Sequence, residues 1–130
     1  MKLNNLKNIV IQKDINRIEL ICKKSNNIIG FINFEENENF IFVKNINVFK
    51  EYQKKWFGRL LIQLLQIRKK PLELIVLYPK VIGFYEKLKF KISWDIENYW
   101  FDYKNGPKSY LKELNLLEKF LNVKNKYLFV

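Results

Sequence analysis

The spacing of apolar residues in this chain changes near Lys54, and few folds accommodate that change in that order. Before it, short β-rich runs alternate with turn residues. Ile9-Val10-Ile11 and its exit Gln12-Lys13-Asp14 predict a first short strand. Arg17 to Lys24, the turn Ser25-Asn26-Asn27 and Ile28 to Phe34 predict a hairpin, and Glu35 to Asn39 turns the chain again into Phe40 to Val48. After it, Trp56, Leu60, Leu61, Leu64, Leu65 and Ile67 recur at helical spacing with Arg59, Gln63, Gln66 and Arg68 between them. The helix predicted over Lys54 to Lys70 stops before Pro71. Leu72 to Leu77 then has the length and composition of a buried strand. A strand, a crossover helix and a second strand predict a parallel pair joined right-handedly.

Tyr78-Pro79 ends that strand, and Val81 to Leu88 predicts a short helix. Phe90 to Trp94 and Tyr99 to Tyr103 read as a closing hairpin around Asp95 to Asn98, terminated by Asn105-Gly106-Pro107. A final stripe of Tyr110, Leu111, Leu114, Leu117, Phe120 and Leu121 faces Lys112, Glu113, Glu118 and Lys119, so the last helix should dock on the sheet or on a second copy in a homodimer. A mixed-charge polar face argues against a membrane-surface helix. Without repeats or linkers, residues 1–130 read as one domain.

A 48% hydrophobic, 28% charged chain is globular, and no apolar run approaches the roughly 20 residues that span a bilayer. The N-terminus lacks a signal-peptide pattern, so the expected location is cytoplasmic, with no membrane partner. Histidine is absent and Cys22 is the single cysteine, which removes the usual zinc frameworks and His-dependent triads; no metal is expected. Cys22 reads as a small buried hydrophobe in Ile18 to Cys22. Acid-base chemistry must fall to Tyr, Asp, Glu or Lys. The net charge of +11 would attract polyanions. However, Ala and Thr never occur while Lys, Asn and Ile abound, as strongly A/T-biased coding produces. No Arg-rich stripe or aromatic-basic groove motif accompanies the charge, so nucleic-acid binding is the less favoured reading.

Chemistry is concentrated at Gln53-Lys54-Lys55-Trp56-Phe57-Gly58, between the strand ending at Val48 and the helix from Arg59. A strand, a tight turn and a helix N-terminus present backbone NH groups and a helix dipole to a phosphate or pyrophosphate. Farther on lies Phe84-Tyr85-Glu86-Lys87-Leu88-Lys89-Phe90. In the order of these parts the chain resembles the GNAT superfamily of acyl-CoA-dependent N-acetyltransferases. Gln53 and Gly58 match the ends of that family's Gln/Arg-x-x-Gly-x-Gly/Ala turn, with Trp56 in place of its first glycine. Lys89 stands where the family's Phe-Tyr-Glu-Lys-Leu-Gly-Phe has glycine. The resemblance implies a mixed α/β (α+β) fold: a mostly antiparallel sheet with a central parallel strand pair, flanked by helices, here with an extra C-terminal helix.

It also implies acetyl-CoA as cosubstrate. The backbone of Ile46, Asn47 and Val48 would bind the pantetheine arm, and Gln53, Lys54, Lys55, Trp56, Phe57, Gly58 and Arg59 the pyrophosphate. Tyr85 matches the tyrosine that protonates the leaving thiolate in many members, against a packing role beside Phe84 and Leu88. The expected function is acetyl transfer to a primary amine. The alternative is a catalytically inactive binding module of the same fold. No carboxylate occurs at Lys44, Asn45 or Asn47, where family members frequently carry a base. Glu35, Glu36 and Glu38 read as a solvated turn, and Glu73 and Asp102 are possible bases from neighbouring strands. The family's two helices between the first strands are missing, since only Gln12 to Asn16 separates them. An open site of that kind suits a macromolecular acceptor, such as a protein lysine or N-terminus. Trp94, Tyr99, Trp100 and Tyr103 could line it, or serve as core or dimer contacts.

Overall fold

The computed structural model of the chain describes residues 3–76, 79–93 and 98–128. Four antiparallel strands come first: β1 (Ile9–Lys13), β2 (Arg17–Cys22), β3 (Ile28–Glu36) and β4 (Ile41–Val48). The helix α1 (Phe57–Gln66) crosses over to β5 (Leu72–Ile75), which pairs parallel with β4. α2 (Ile82–Lys87), β6 (Lys91–Ser93), β7 (Asn98–Phe101) and α3 (Lys108–Leu128) complete the order. The strands form one mixed sheet in the order β1-β2-β3-β4-β5-β7-β6. The mostly antiparallel sheet and its central parallel pair match the expected fold class. The predicted Leu77, Tyr78, Trp94 and Asp95 to Glu97 lie outside the described residues.

The core sits on one face. Ile11, Ile18, Leu20, Ile32, Phe34, Val43, Leu72, Tyr99 and Phe101 alternate inward and are buried. All three helices pack there. Val48 lies under the start of α1, Tyr85 of α2 meets the Tyr99 ring at 5.9 Å, and Tyr110 of α3 meets Phe101 at 6.1 Å. The last helix therefore docks on the sheet, running beside α1 to reach β1. Among the described residues no α-helix covers the opposite face, because β1 and β2 are joined by Asp14, Ile15 and Asn16 alone.

Docking of α3 changes what the spacing implied for α1. Gln63 and Gln66 fall among the polar residues of that helix, yet both are buried. Tyr110 explains it: its hydroxyl donates to Gln66 Oε1 at 2.5 Å and accepts from Gln63 Nε2 at 3.4 Å, while Gln66 Nε2 donates to the Leu88 carbonyl at 2.9 Å. Gln66 thus ties α1 to both α2 and α3, while Gln63 reaches α3 through its Nε2 and its buried Oε1 has no partner among the described residues.

Three local features depart from the predicted boundaries. α1 begins at Phe57, three residues after Lys54, because Lys54 takes φ 61°, which interrupts a right-handed helix. It ends at Gln66, and Lys69 (φ 65°) turns the chain before Pro71. Cys22 is half-buried rather than buried, since it ends β2 beside the Ser25 turn; hydrogen bonds from that turn lower its thiol pKa. Glu36 is not simply solvated. It pairs with Arg68 and with Lys70 at 2.9 Å, and although partial burial opposes ionisation, those cations hold its carboxyl below the usual range.

Candidate active site

The site begins where two strands part. β4 pairs with β3 as far as Val48, but with β5 only at Ile41–Leu72 and Phe42–Glu73. Beyond Phe42, the outer edge of β4 has no strand partner among the described residues. A bulge helps to aim this edge. Asn33 pairs with Asn45 and Phe34 with Val43, so Lys44 is the extra residue of β4. It shifts the inward alternation from Ile41 and Val43 to Ile46 and Val48. An unpaired edge of this kind offers N–H and C=O groups to an extended amide chain.

The chain then rounds Lys50–Tyr52 and enters the turn. Gln53 Nε2 donates to the Val48 carbonyl at 2.8 Å, fastening the turn to the end of β4. Lys54 supplies the left-handed residue, and Trp56 is the N-cap of α1 at φ −93°, ψ 3°. That conformation is open to any residue, so tryptophan in place of glycine leaves the backbone path intact. No side chain caps α1, so its first-turn N–H groups stay available to an anion. The Trp56 side chain turns aside onto the Phe57 ring, with centroids 4.3 Å apart. Phe57 itself is a core residue, and its contribution to the turn is its backbone.

A groove of about 270 Å³ runs from this turn between α1 and α2, lined by Lys55, Trp56, Arg59, Phe84, Lys87 and Leu88. A second of about 370 Å³ shares Arg59 and Lys87 and continues toward Tyr110 and Glu113. Arg59 Nη2 donates to Glu113 Oε1 at 2.6 Å. Its buried Nε finds no protein partner among the described residues, leaving a donor for a ligand oxygen. The fold does not itself demand glycine at 58, since a Cβ there would meet Phe84 Cζ at 3.4 Å, an ordinary contact. Sequence reasoning missed Phe84 and Lys87 as groove residues. Their three-residue spacing on α2 was the available signal.

Tyr85 stands on α2 behind this groove, 7% exposed, with its ring against Phe84, Phe90 and Tyr99 at 5.0, 5.5 and 5.9 Å. Burial pushes its phenol up to about 12. The backbone after it is fixed by a helix-ending motif: Phe90 N donates to the Tyr85 carbonyl at 3.1 Å and Lys89 N to the Glu86 carbonyl at 3.0 Å. Lys89 takes φ 67°, the left-handed conformation that glycine usually supplies at this position.

The remaining expected residues fall elsewhere. Glu35 pairs with Lys44 at 2.6 Å. Glu73, Trp100 and Asp102 line a separate cavity of about 460 Å³ with Pro71, Phe90 and Pro107. Two of the Asp102 contacts are local, to Lys104 N and Asn105 Nδ2. Tyr99 is core, Tyr103 donates to Asn115 Oδ1, and Trp94 lies outside the described residues. No group of three or more His, Cys, Asp or Glu able to hold a metal occurs among the described residues. Nor does any described helix have the length and apolarity to cross a membrane.

Comparison with solved structures finds the same architecture at low identity. The Bacillus subtilis N-acetyltransferase YlbP, solved with coenzyme A, superposes with a TM-score of 0.56 at 13% identity, over 67% of each chain. The AtaT toxin, as a tyrosine-to-phenylalanine mutant bound to the C-terminus of the antitoxin AtaR and to acetyl-CoA, gives 0.53 at 13% identity, over 78% of this chain and 71% of the other. The KacTA complex with DNA gives 0.57 at 13% identity, over 79% and 72%. At such identities the likeness shows the fold. No curated protein matches the chain in sequence. The family model of the GNAT acetyltransferases matches residues 6–90, from the turn before β1 through the Schellman-type end of α2, and the chain belongs to that family.

Proposed function

We propose that this protein is an acetyl-CoA-dependent N-acetyltransferase acting on a primary amine carried by a protein, in a cytoplasmic setting. The observation that carries the proposal is the uncapped N-terminus of α1 beside the parted edge of β4, at the mouth of the Lys55–Arg59–Lys87 groove. The turn and the groove cations hold the phosphates of the cosubstrate, and the backbone of Ile46 to Val48 pairs with its amides. The thioester then lies between the strands, within reach of both faces of the sheet.

In the transfer step the amine lone pair attacks the thioester carbonyl carbon. A C–N bond forms, the C–S bond breaks, and the sulfur leaves as thiolate. Tyr85 donates the proton that makes the free thiol; the amine releases one proton to solvent, and a proton taken from solvent restores the phenol. A phenol at about 12 stays protonated throughout the working pH range, so the donor is always loaded. Burial of the sulfur beside it would raise the thiol in the same direction, so the two shifts offset one another.

A binding module without catalysis is the second reading. The specific observation in its favour is the burial of Tyr85 among three aromatic rings, which is also what a packing residue would show. Calorimetric titration with acetyl-CoA and CoA decides first whether the groove works. Saturable one-to-one binding in the micromolar range is expected, and no heat at millimolar ligand would refute the acetyltransferase. Release of free thiol in the presence of an amine then separates enzyme from binding module.

A further inference from the structure

The open face of the sheet carries a polar relay that ends beside the parted strands. Arg17 Nη1 donates to Asn33 Oδ1 at 3.1 Å, and Asn33 Nδ2 donates to Asn45 Oδ1 at 2.8 Å. Arginine can only donate, so the first contact fixes which end of the Asn33 amide faces it. That orientation in turn requires Asn45 to present its oxygen to Asn33, leaving the Asn45 NH2 as the free end. Arg17 is itself held by Glu19 at 3.1 Å and lies 3.9 Å from the centre of the Phe31 ring, so the relay has a fixed origin. Asn45 is exposed and follows Phe42, the last residue of β4 that pairs with β5.

We propose that the Asn45 NH2 is the specificity-determining contact for the acceptor, hydrogen-bonding a carbonyl oxygen next to the reacting amine, so that the substrates are peptide N-terminal α-amines rather than lysine side chains or polyamines. This rests on the acetyltransferase reading above. A lysine ammonium or a polyamine brings only donors to a site whose oriented group is also a donor. A peptide N-terminus brings a carbonyl two bonds from its nitrogen.

The carboxylates point the same way. On this face Glu19 is engaged by Arg17, Glu35 by Lys44, and Glu73 lines the separate cavity. With no dedicated base assigned among the described residues, the reaction draws on amine that is already neutral. At pH 7.5 that is about a quarter of an α-amine with pKa near 8, against about 0.1% of a lysine with pKa near 10.4. The reactive amine nitrogen attacks the thioester carbon, and the C–N bond made and C–S bond broken are those of the transfer step already given.

The test compares kcat/KM, by thiol release at pH 7.5, for three probes: a lysine-free peptide with a free N-terminus, the N-acetylated peptide with one lysine, and spermidine. Wild-type protein should favour the first by about 100-fold or more. Asn45→Asp, nearly isosteric and on the exposed face, replaces the donor by an acceptor. It should lower kcat/KM for the α-amine peptide about tenfold through KM, the loss of one hydrogen bond, while raising that for lysine. Equal use of lysine or spermidine by the wild type, or an unchanged preference in Asn45→Asp, overturns the inference and leaves acetyl transfer standing. A protein that binds acetyl-CoA and acetylates none of the three overturns this inference and favours the binding module. A protein that does not bind acetyl-CoA overturns the acetyltransferase reading as well.

Discussion

Gly30 is where the stability of the sheet and the shape of the site meet. It pairs with Val48 across β3 and β4, and a Cβ added there would lie 2.6 Å from the Asn47 carbonyl oxygen and 3.1 Å from Val48 Cα. Both are backbone atoms, so relief requires the end of β4 to move by about 0.5 Å or more; overpacking of this kind costs about 1–3 kcal/mol. Against it stands the stiffening of the unfolded chain, about 0.4–1 kcal/mol in favour of alanine. The net loss for Gly30→Ala is therefore about 1–2 kcal/mol. With an unfolding entropy near 0.27 kcal/mol/K for 130 residues, this lowers Tm by about 4–7 °C. The displaced segment is the unpaired edge assigned to the cosubstrate, so acetyl-CoA affinity should fall as well, by about tenfold. Calorimetry measures both quantities on one sample. Gly83→Ala is the control: nothing lies within 4 Å of a Cβ there, and alanine in α2 should stabilise by about 0.5–1 kcal/mol without touching affinity. A Gly30→Ala protein with unchanged Tm and unchanged affinity would refute the argument.

Tyr85→Phe should lower kcat about 100-fold while acetyl-CoA affinity in calorimetry stays the same; equal turnover would remove Tyr85 from the mechanism. Lys89→Gly relieves a left-handed lysine at the end of α2 and should raise the unfolding free energy from denaturant titration by about 1 kcal/mol, an effect whose absence would mean that the strain is not there. Burial holds Tyr85 and Tyr110 protonated to about 12, above the ordinary phenol value of 10. Neither opposes folding below pH 10; between pH 10 and 12 the unfolded chain ionises first, and each removes up to about 3 kcal/mol of stability. Denaturation from pH 9 to 12 should therefore fall less steeply in Tyr85→Phe than in wild type, and identical slopes would contradict the burial of this phenol.

Much of the fold was legible because period and punctuation agree. The hairpin residues Ser25-Asn26-Asn27, the helical stripe from Trp56 and the strand after Pro71 each carry a local signal, and the crossover leaves few topologies. The turn at Gln53 to Gly58 and the position of Tyr85 were legible as a pattern of residues. Features fixed by tertiary contact were not. Gln63 and Gln66 look solvent-facing until α3 lays Tyr110 over them. The bulge at Lys44 leaves no mark in Val43-Lys44-Asn45, because any residue can be the extra one in a ladder. The Arg17–Asn33–Asn45 relay joins residues from three strands, and only the register brings them side by side.

That register also separates two tasks within one sheet. Every helix packs on the face of Ile18, Ile32 and Phe34, so the burial that stabilises the fold lies on that side. The other face is left to side chains held by one another: Arg17 by Glu19 and Phe31, Asn33 by Arg17, Asn45 by Asn33. Exposed hydrogen bonds of this type contribute little to folding, because water would satisfy the same groups. What they provide is orientation, since a rotating exposed amide offers donor and acceptor alike, whereas Asn45 chained to Arg17 offers a donor. The short β1–β2 link thus leaves a face that is free of helices among the described residues, on which a rank of fixed polar groups meets the parted edge of β4, and a substitution there can change recognition while leaving the core on the opposite side intact.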